Sequence, residues 1–217
     1  MAKKFKKTLA MLLTVLMMTS TMSMTVFAEE TDTADLVLNG ETITGTITED
    51  MVWENGDVVS DVTISDGVTI TVKGTVTVAG TIRPGNNVTF VGEGDGATLI
   101  RGKLNANSDA FTGQMFYVEG TICDFPNLTF SNITLDGGAV WTGEVDPILG
   151  RGTTNEGVKA TGSILYLVRA NATLNNATLQ NHDDGIGEKA NAVFLREYAT
   201  VAFDNSVARN NNSPSGY

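Results

Sequence analysis

Ile164–Asn181 reads ILYLVRANATLNNATLQN, and Val193–Asn210 reads VFLREYATVAFDNSVARN, nearly the same line 29 positions later. At that offset Leu174 falls on Phe203, Asn176 on Asn205, Asn181 on Asn210 and Ala170 on Ala199. Ile164, Leu165 and Tyr166 fall on Val193, Phe194 and Leu195. An earlier copy starts at Leu128, where LTFSNITLDG puts Phe130, Asn132, Ile133 and Leu135 in the places of Leu174, Asn176, Ala177 and Leu179. A period of this size built from short β-type runs is the mark of a solenoid. In such a coil each position lies over its equivalent in the previous rung, so like residues stack. Asn132, Asn176 and Asn205 are then expected at a turn, bonded into a ladder. Leu174 over Phe203 and Leu179 over Ala208 are expected to fill the interior.

Upstream the same β character continues. Val62, Ile64, Val68, Ile70, Val72, Val76, Val78 and Ile82 mostly alternate with Thr or Ser, interrupted by Ser65-Asp66-Gly67 and Lys73-Gly74. Alternation with period two places successive side chains on opposite faces of a strand, and β-branched residues fit that surface. The Asp-Gly and Lys-Gly pairs supply turn chemistry. After Glu29 no stretch keeps apolar residues at helical spacing for three turns. The fold class is therefore all-β. A hairpin sandwich has similar composition, but the return of Asn at one phase in three copies favours stacked coils. About six rungs at a strand spacing of about 4.8 Å would make a prism roughly 30 Å long.

The first 28 residues read as an export signal. Lys3, Lys4, Lys6 and Lys7 form a basic start, Leu9 to Met18 an apolar core, and Val26-Phe27-Ala28 a small-residue cleavage site. A membrane anchor is the competing reading, but the apolar core is short for a bilayer and acidic residues follow it. Residues 29–50 read as an acidic lead-in or N-terminal cap, and 51–217 as the β domain. Cleavage would leave 10 basic and 25 acidic residues, a net charge of −15. Nucleic acid and anionic lipid are poor partners for such a surface. Cys123 is the single cysteine, so no intrachain disulfide can form. No further membrane span is expected after the signal.

Asn87-Val88-Thr89-Phe90-Val91-Gly92-Glu93-Gly94, the run Asn127 to Gly137, and Ala172 to Leu179 resemble right-handed parallel β-helix repeats of the pectate-lyase-like superfamily. More closely, the chain is similar to the start of long, secreted bacterial surface proteins that carry such repeats. The resemblance covers Val52 to Asn212. It implies a right-handed parallel β-helix, exported or held at the cell surface, and says little about activity. The chain stops after a rung at Asn210-Asn211-Asn212-Ser213-Pro214-Ser215-Gly216-Tyr217, which reads either as the first piece of a longer helix or as a Pro-containing blunt end.

Three interruptions of the rungs could carry chemistry. Gly137 to Ser163 holds Trp141, Glu144, Asp146, Arg151 and Glu156; connections of this length are often functional. Trp141 could offer a face to a sugar while Glu144 and Asp146 bond its hydroxyls, or Trp141 could cover an apolar patch. Asn181-His182-Asp183-Asp184-Gly185-Ile186-Gly187 holds the only histidine. Its acidic pair is similar to one of the motifs of polygalacturonases, in which carboxylates act as general acid and activate water. The Asn-Thr-Asp, Gly-His-Gly and Arg-Ile-Lys companions of that family are missing, and an aspartate turn accounts for the loop equally. Gly102 to Gln114 reads as a surface excursion. No repeated calcium motif and no His or Cys spacing for zinc occurs, so neither metal nor cofactor is expected.

The function expected is a non-catalytic, exported scaffold of a surface or adhesin-like protein, with no catalytic residues. Ligand contacts are expected at Trp141, Glu144, Asp146, Asp183 and Asp184, and the partner would be a carbohydrate or another host or cell-surface ligand. The alternative is a polysaccharide lyase or glycoside hydrolase acting on acidic polysaccharide.

Overall fold

The structure is a computed structural model that describes residues 36–38, 40–148, 150–184 and 191–212. The export signal, the tail 213–217 and the Gly185-Ile186-Gly187 end of the acidic loop lie outside the described residues. Asp35–Tyr217 forms one compact unit. Among the described residues every regular element is a strand, and no helix is long and apolar enough to cross a membrane.

In chain order the strands are β1 (Leu36–Leu38), β2 (Thr42–Ile47), β3 (Met51–Trp53), β4 (Val58–Ile64), β5 (Thr69–Val78), β6 (Ile82–Pro84), β7 (Val88–Arg101), β8 (Phe116–Glu119) and β9 (Asn127–Ser131). They continue as β10 (Thr134–Asp136), β11 (Trp141–Val145), β12 (Gly152–Asn155), β13 (Leu165–Val168), β14 (Asn171–Asn175), β15 (Thr178–Gln180), β16 (Val193–Arg196), β17 (Thr200–Asp204) and β18 (Val207–Arg209). All but β11 and β12 belong to one curled parallel sheet, and those two pair antiparallel as a hairpin.

The sheet resolves into three parallel ladders. The first stacks β1, β3, the start of β5, the start of β7, β9, β14 and β17. The second stacks the starts of β2 and β4, the ends of β5 and β7, then β10, β15 and β18. The third stacks the ends of β2 and β4, then β6, β8, β13 and β16. The chain visits them repeatedly in the order third, first, second. Parallel strands joined in this cyclic order are compatible with a β-helix or solenoid. The ladders already include Thr42–Ile47, inside the segment read as lead-in or cap.

Period-two alternation decides which side chains face inward. One inward column in the first ladder runs Met51, Ile70, Phe90, Phe130, Leu174, Phe203. In the second it runs Val76, Leu99, Leu135, Leu179, Ala208. The expected pairs Leu174 with Phe203 and Leu179 with Ala208 are both present. Phe90, Phe116 and Phe130 are fully buried and meet with ring centroids 5.0–5.3 Å apart, and Trp53 tilts against Phe90 at 5.8 Å. Such aromatic pairs add to the apolar burial that drives the fold.

The third ladder departs from the expected register. Leu165 pairs with Val193, Tyr166 with Phe194 and Leu167 with Leu195. The offset here is 28, not the 29 at which Ile164 would meet Val193. The extra residue lies at the next corner, where Glu197 and Tyr198 both have positive φ, 51° and 68°. Since one residue of slip exchanges the faces of a strand, the corner absorbs it. The strand register then keeps Tyr117, Tyr166 and Phe194 stacked in one outward column, with centroids 5.0–5.3 Å apart.

Corners demand residues that tolerate the left-handed region, and asparagine does so better than most. Asn132, Asn176 and Asn205 turn from the first ladder to the second with φ of 54°, 50° and 46°. Asn176 Nδ2 donates to Asn132 Oδ1 at 2.7 Å. A second bonded column, not singled out from the sequence, opens the first ladder. There Asn127 N donates to Asn86 Oδ1 (3.0 Å), Asn171 Nδ2 to Asn127 Oδ1 (3.2 Å) and Thr200 Oγ1 to Asn171 Oδ1 (2.7 Å). In the early coils carboxylates cap backbone from one rung to the next. Asp50 accepts from Thr69 N, Asp66 from Asn86 N, and fully buried Asp57 from Glu41 N, while its other oxygen takes the local Glu54 N.

Candidate functional site

The three interruptions read from the sequence share one corner. Residues 102–115 connect β7 to β8, residues 137–164, which include β11 and β12, connect β10 to β13, and residues 181–192 connect β15 to β16. Each leaves the second ladder and returns to the third, so the ladders bring three segments distant in sequence to neighbouring levels of one edge. Loops grouped on a rigid scaffold are where binding residues concentrate.

Arg101 ties two of these loops together. It occupies the inward column of Val59 and Val78 and is buried. Its Nη1 donates to Thr112 O at 2.8 Å, and its Nη2 to Gly162 O at 2.9 Å and Ser163 O at 3.1 Å. The Nε–H finds no acceptor among the described residues, and the guanidinium lies 5.9 Å from the Phe111 ring centroid. Burial pulls its pKa down to about 9, because low-dielectric surroundings disfavour the charged form. It remains a cation at neutral pH, bound to carbonyls and not to a carboxylate. The sequence signal was the appearance of an arginine at an inward position of the Val76-to-Arg101 alternation.

The segment 137–163 folds back on itself as the β11–β12 hairpin, with a register irregularity between Thr142 and Val145. Trp141 is half-buried. Arg151 covers one ring face, its guanidinium 3.8 Å from the centroid, and the indole Nε1–H donates to Asn210 O at 3.0 Å. That face is closed to a sugar, and the ring fastens the hairpin to the last described coil. Glu144 is exposed, while Asp146 caps the hairpin turn by accepting from Ile148 N at 2.8 Å.

Asp183 and Asp184 are both buried on the coil, at 6 % and 3 % exposure. Asp183 Oδ2 accepts from Asn155 Nδ2 (2.9 Å) and its Oδ1 from Asn212 Nδ2 (2.8 Å). Its carbonyl accepts from Ala160 N, and Asp184 N donates to Asn212 O. Asn155 also bonds Val140 N, Gly157 N and Val158 O, so the base of the hairpin and the acidic loop form one polar knot. His182 is fully buried beside it. The structure thus joins Asp183 to the hairpin through Asn155, while Glu144 points to solvent on the arm. Among the described residues no group of three or more His, Cys, Asp or Glu is placed to hold a metal ion.

Two further features lie on other corners. Around Arg169 an ion cluster forms with Glu119 and Glu197. Beside it the Tyr117 hydroxyl donates to Glu119, which, together with burial, raises the phenol's pKa. A hydrogen bond with Tyr166 raises that of Arg196. The other feature is a polar groove of about 480 Å³ where the first ladder turns into the second, bordered by Asp95, Asn132, Thr134, Asn176 and Thr178. Asn132 and Asn176 were read from the sequence as a structural ladder only. Asp95 belongs to the single Gly92-Glu93-Gly94-Asp95-Gly96 run, which repeat counting passes over.

Compared with protein-family models, curated proteins and solved structures, the chain matches none.

Proposed function

We propose that this chain is a non-catalytic, exported scaffold: a right-handed parallel β-helix in a bacterial surface or adhesin-like protein, contacting its ligand through corner loops. The observation that carries the reading is the fate of the Asp183 carboxylate. It is buried, and its two oxygens accept from the Asn155 and Asn212 amides, which hold the hairpin and the last coil in place. A carboxylate so engaged serves packing. A glycosidase needs two carboxyl groups flanking an accessible bond, and Glu144, Asp146 and Asp183 are held to different tasks. Right-handed winding follows from the strong preference of parallel crossover connections for that hand. Export follows from the basic and apolar start of the sequence, and the acidic surface fits a protein that stays soluble outside the cell.

Incubation with polygalacturonate, pectin and other acidic glycans tests the reading, with unsaturated and reducing ends as the readout. Release of neither is expected. Turnover that disappears in Asp183→Asn would establish a polysaccharide lyase or hydrolase instead.

A further inference from the structure

We propose that the groove at the turn from the first ladder to the second is a binding site for an uncharged, polyhydroxylated ligand, a short neutral glycan. This rests on the scaffold reading above and names the ligand class. The groove spans successive coils: β7 supplies Gly92 and Gly94 to Ala97, the turn into β10 and its first residue supply Asn132 to Thr134, and the turn into β15 and its first residue supply Asn176 and Thr178. Its volume of about 480 Å³ lies within the range common for small-molecule sites, about 300–1,000 Å³. Gly92 shapes its wall, because a Cβ there would sit 2.0 Å from Asn132 O. Only glycine lets the protruding Gly94-Asp95-Gly96 corner leave the coil so close to the next one.

The lining polar groups are only partly engaged. Asn176 Nδ2 donates to Asn132 Oδ1, which leaves the Asn132 amide as donor and the Asn176 carbonyl as acceptor. Thr134 and Thr178 face outward in the column Thr75, Thr98, Thr134, Thr178. Thr98 Oγ1 is committed to Gly96 O, whereas the Thr134 and Thr178 hydroxyls remain able both to donate and to accept. Asp95 is exposed and supplies acceptors only. The groove therefore offers donors and acceptors in alternation, repeating at the strand spacing of about 4.8 Å.

This chemistry selects by exclusion. Among the described residues no Lys, Arg or His borders the groove, and Asp95 would repel an anion, so acidic glycans are disfavoured. One carboxylate is too few for a divalent cation, which takes six or more oxygens when it is calcium. An apolar ligand would strand the amides and hydroxyls without partners. Adjacent hydroxyls of a neutral sugar match the pattern, each able to give one bond and take another.

Calorimetric titration of the full chain with cellotriose, chitotriose and trigalacturonate tests the site. At least one neutral trisaccharide is expected to bind, and trigalacturonate is expected to bind at least tenfold more weakly. Asp95→Ala and Thr178→Val, both outside the core, should each weaken binding about tenfold with unchanged circular dichroism, and Glu144→Ala should leave it unchanged. The proposal is overturned if neither neutral sugar binds, if trigalacturonate binds as well or better, or if the Asp95→Ala/Thr178→Val double variant binds normally. Sugar binding lost in Glu144→Ala alone would overturn the groove and leave the scaffold reading standing. Cleavage of polygalacturonate would overturn the scaffold reading, a failure distinguishable from loss of neutral-sugar binding at the groove.

Discussion

From Met51 to Arg101 the coil is short and even, with Ile70 over Met51 and Phe90 over Ile70, advances of 19 and 20 residues. From Phe116 to Arg209 the same column advances by 44 residues from Phe130 to Leu174 and by 29 to Phe203. The inward register of the first two ladders is indifferent to this. The longest extra segments leave at the corner between the second and third ladders, with shorter excursions at Gly94-Asp95-Gly96 and at residues 120–126 between β8 and β9. The early coils hold their corners with carboxylates that cap the next rung. The later ones hold theirs with asparagine columns, Arg101, and the Asn155–Asp183–Asn212 knot. A scaffold that moves its extra length out to the corners keeps the inward columns of its ladders unbroken.

The largest expected effect tests whether the two regions share one core. Phe130→Ala removes a fully buried ring packed on Phe90 and Phe116, a change that costs about 3–5 kcal/mol. Denaturant unfolding should show a single transition shifted for both regions, whereas Phe203→Ala, at 43 % exposure in the same column, should cost less than half as much. Two separated transitions in Phe130→Ala would break the comparison into two independent units.

Arg101→Met should come next, at about 2–3 kcal/mol, since three carbonyls lose a charged donor. Hydrogen exchange should quicken in 102–114 and 160–164 and stay unchanged in 58–72. The early coils have their own counterpart in Asp57→Ala. Two backbone donors lose a buried acceptor there, at about 2 kcal/mol, with faster exchange confined to Glu41, Glu54 and their neighbours.

The smallest effect concerns pH. Tyr117 has a folded pKa raised above its unfolded value near 10, first through the bond to Glu119. A group raised in this way stabilises the fold fully below about pH 10, and that contribution is lost as pH rises through the folded pKa. The stability difference between the native chain and Tyr117→Phe should therefore be flat from pH 7 to 9 and shrink above 10. A difference that grows above pH 10 would contradict the assignment.

Much of the interior was legible in the sequence, because inward positions are read by apolar alternation and the Asn phase marks one corner. The offset of 29 between Leu174 and Phe203 holds for that reason. It misleads at Tyr166, where Glu197 and Tyr198 place an additional residue in a corner that alternation does not register. The even coils from Met51 escaped as a repeat because their Val, Ile and Thr are too alike to mark a phase. The corner loops were visible as interruptions, but their convergence on one edge depends on coil order, which only the ladders reveal. Trp141 shows the same limit, since its partners Arg151 and Asn210 are far apart in sequence. Arg101 could have been found, as a charge standing in an inward phase.

Cysteine cross-linking of neighbouring coils tests the stacking most directly. In a Cys123→Ser background, Thr173→Cys with Ala202→Cys joins outward register partners of β14 and β17, with Cα atoms about 4.8 Å apart and within disulfide reach. Thr173→Cys with Asp204→Cys shifts one partner by two residues on the same face. The in-register pair is predicted to oxidise rapidly within the monomer while the shifted pair stays reduced. Equal rates for the two pairs, or faster closure of the shifted one, would contradict coils stacked 29 residues apart.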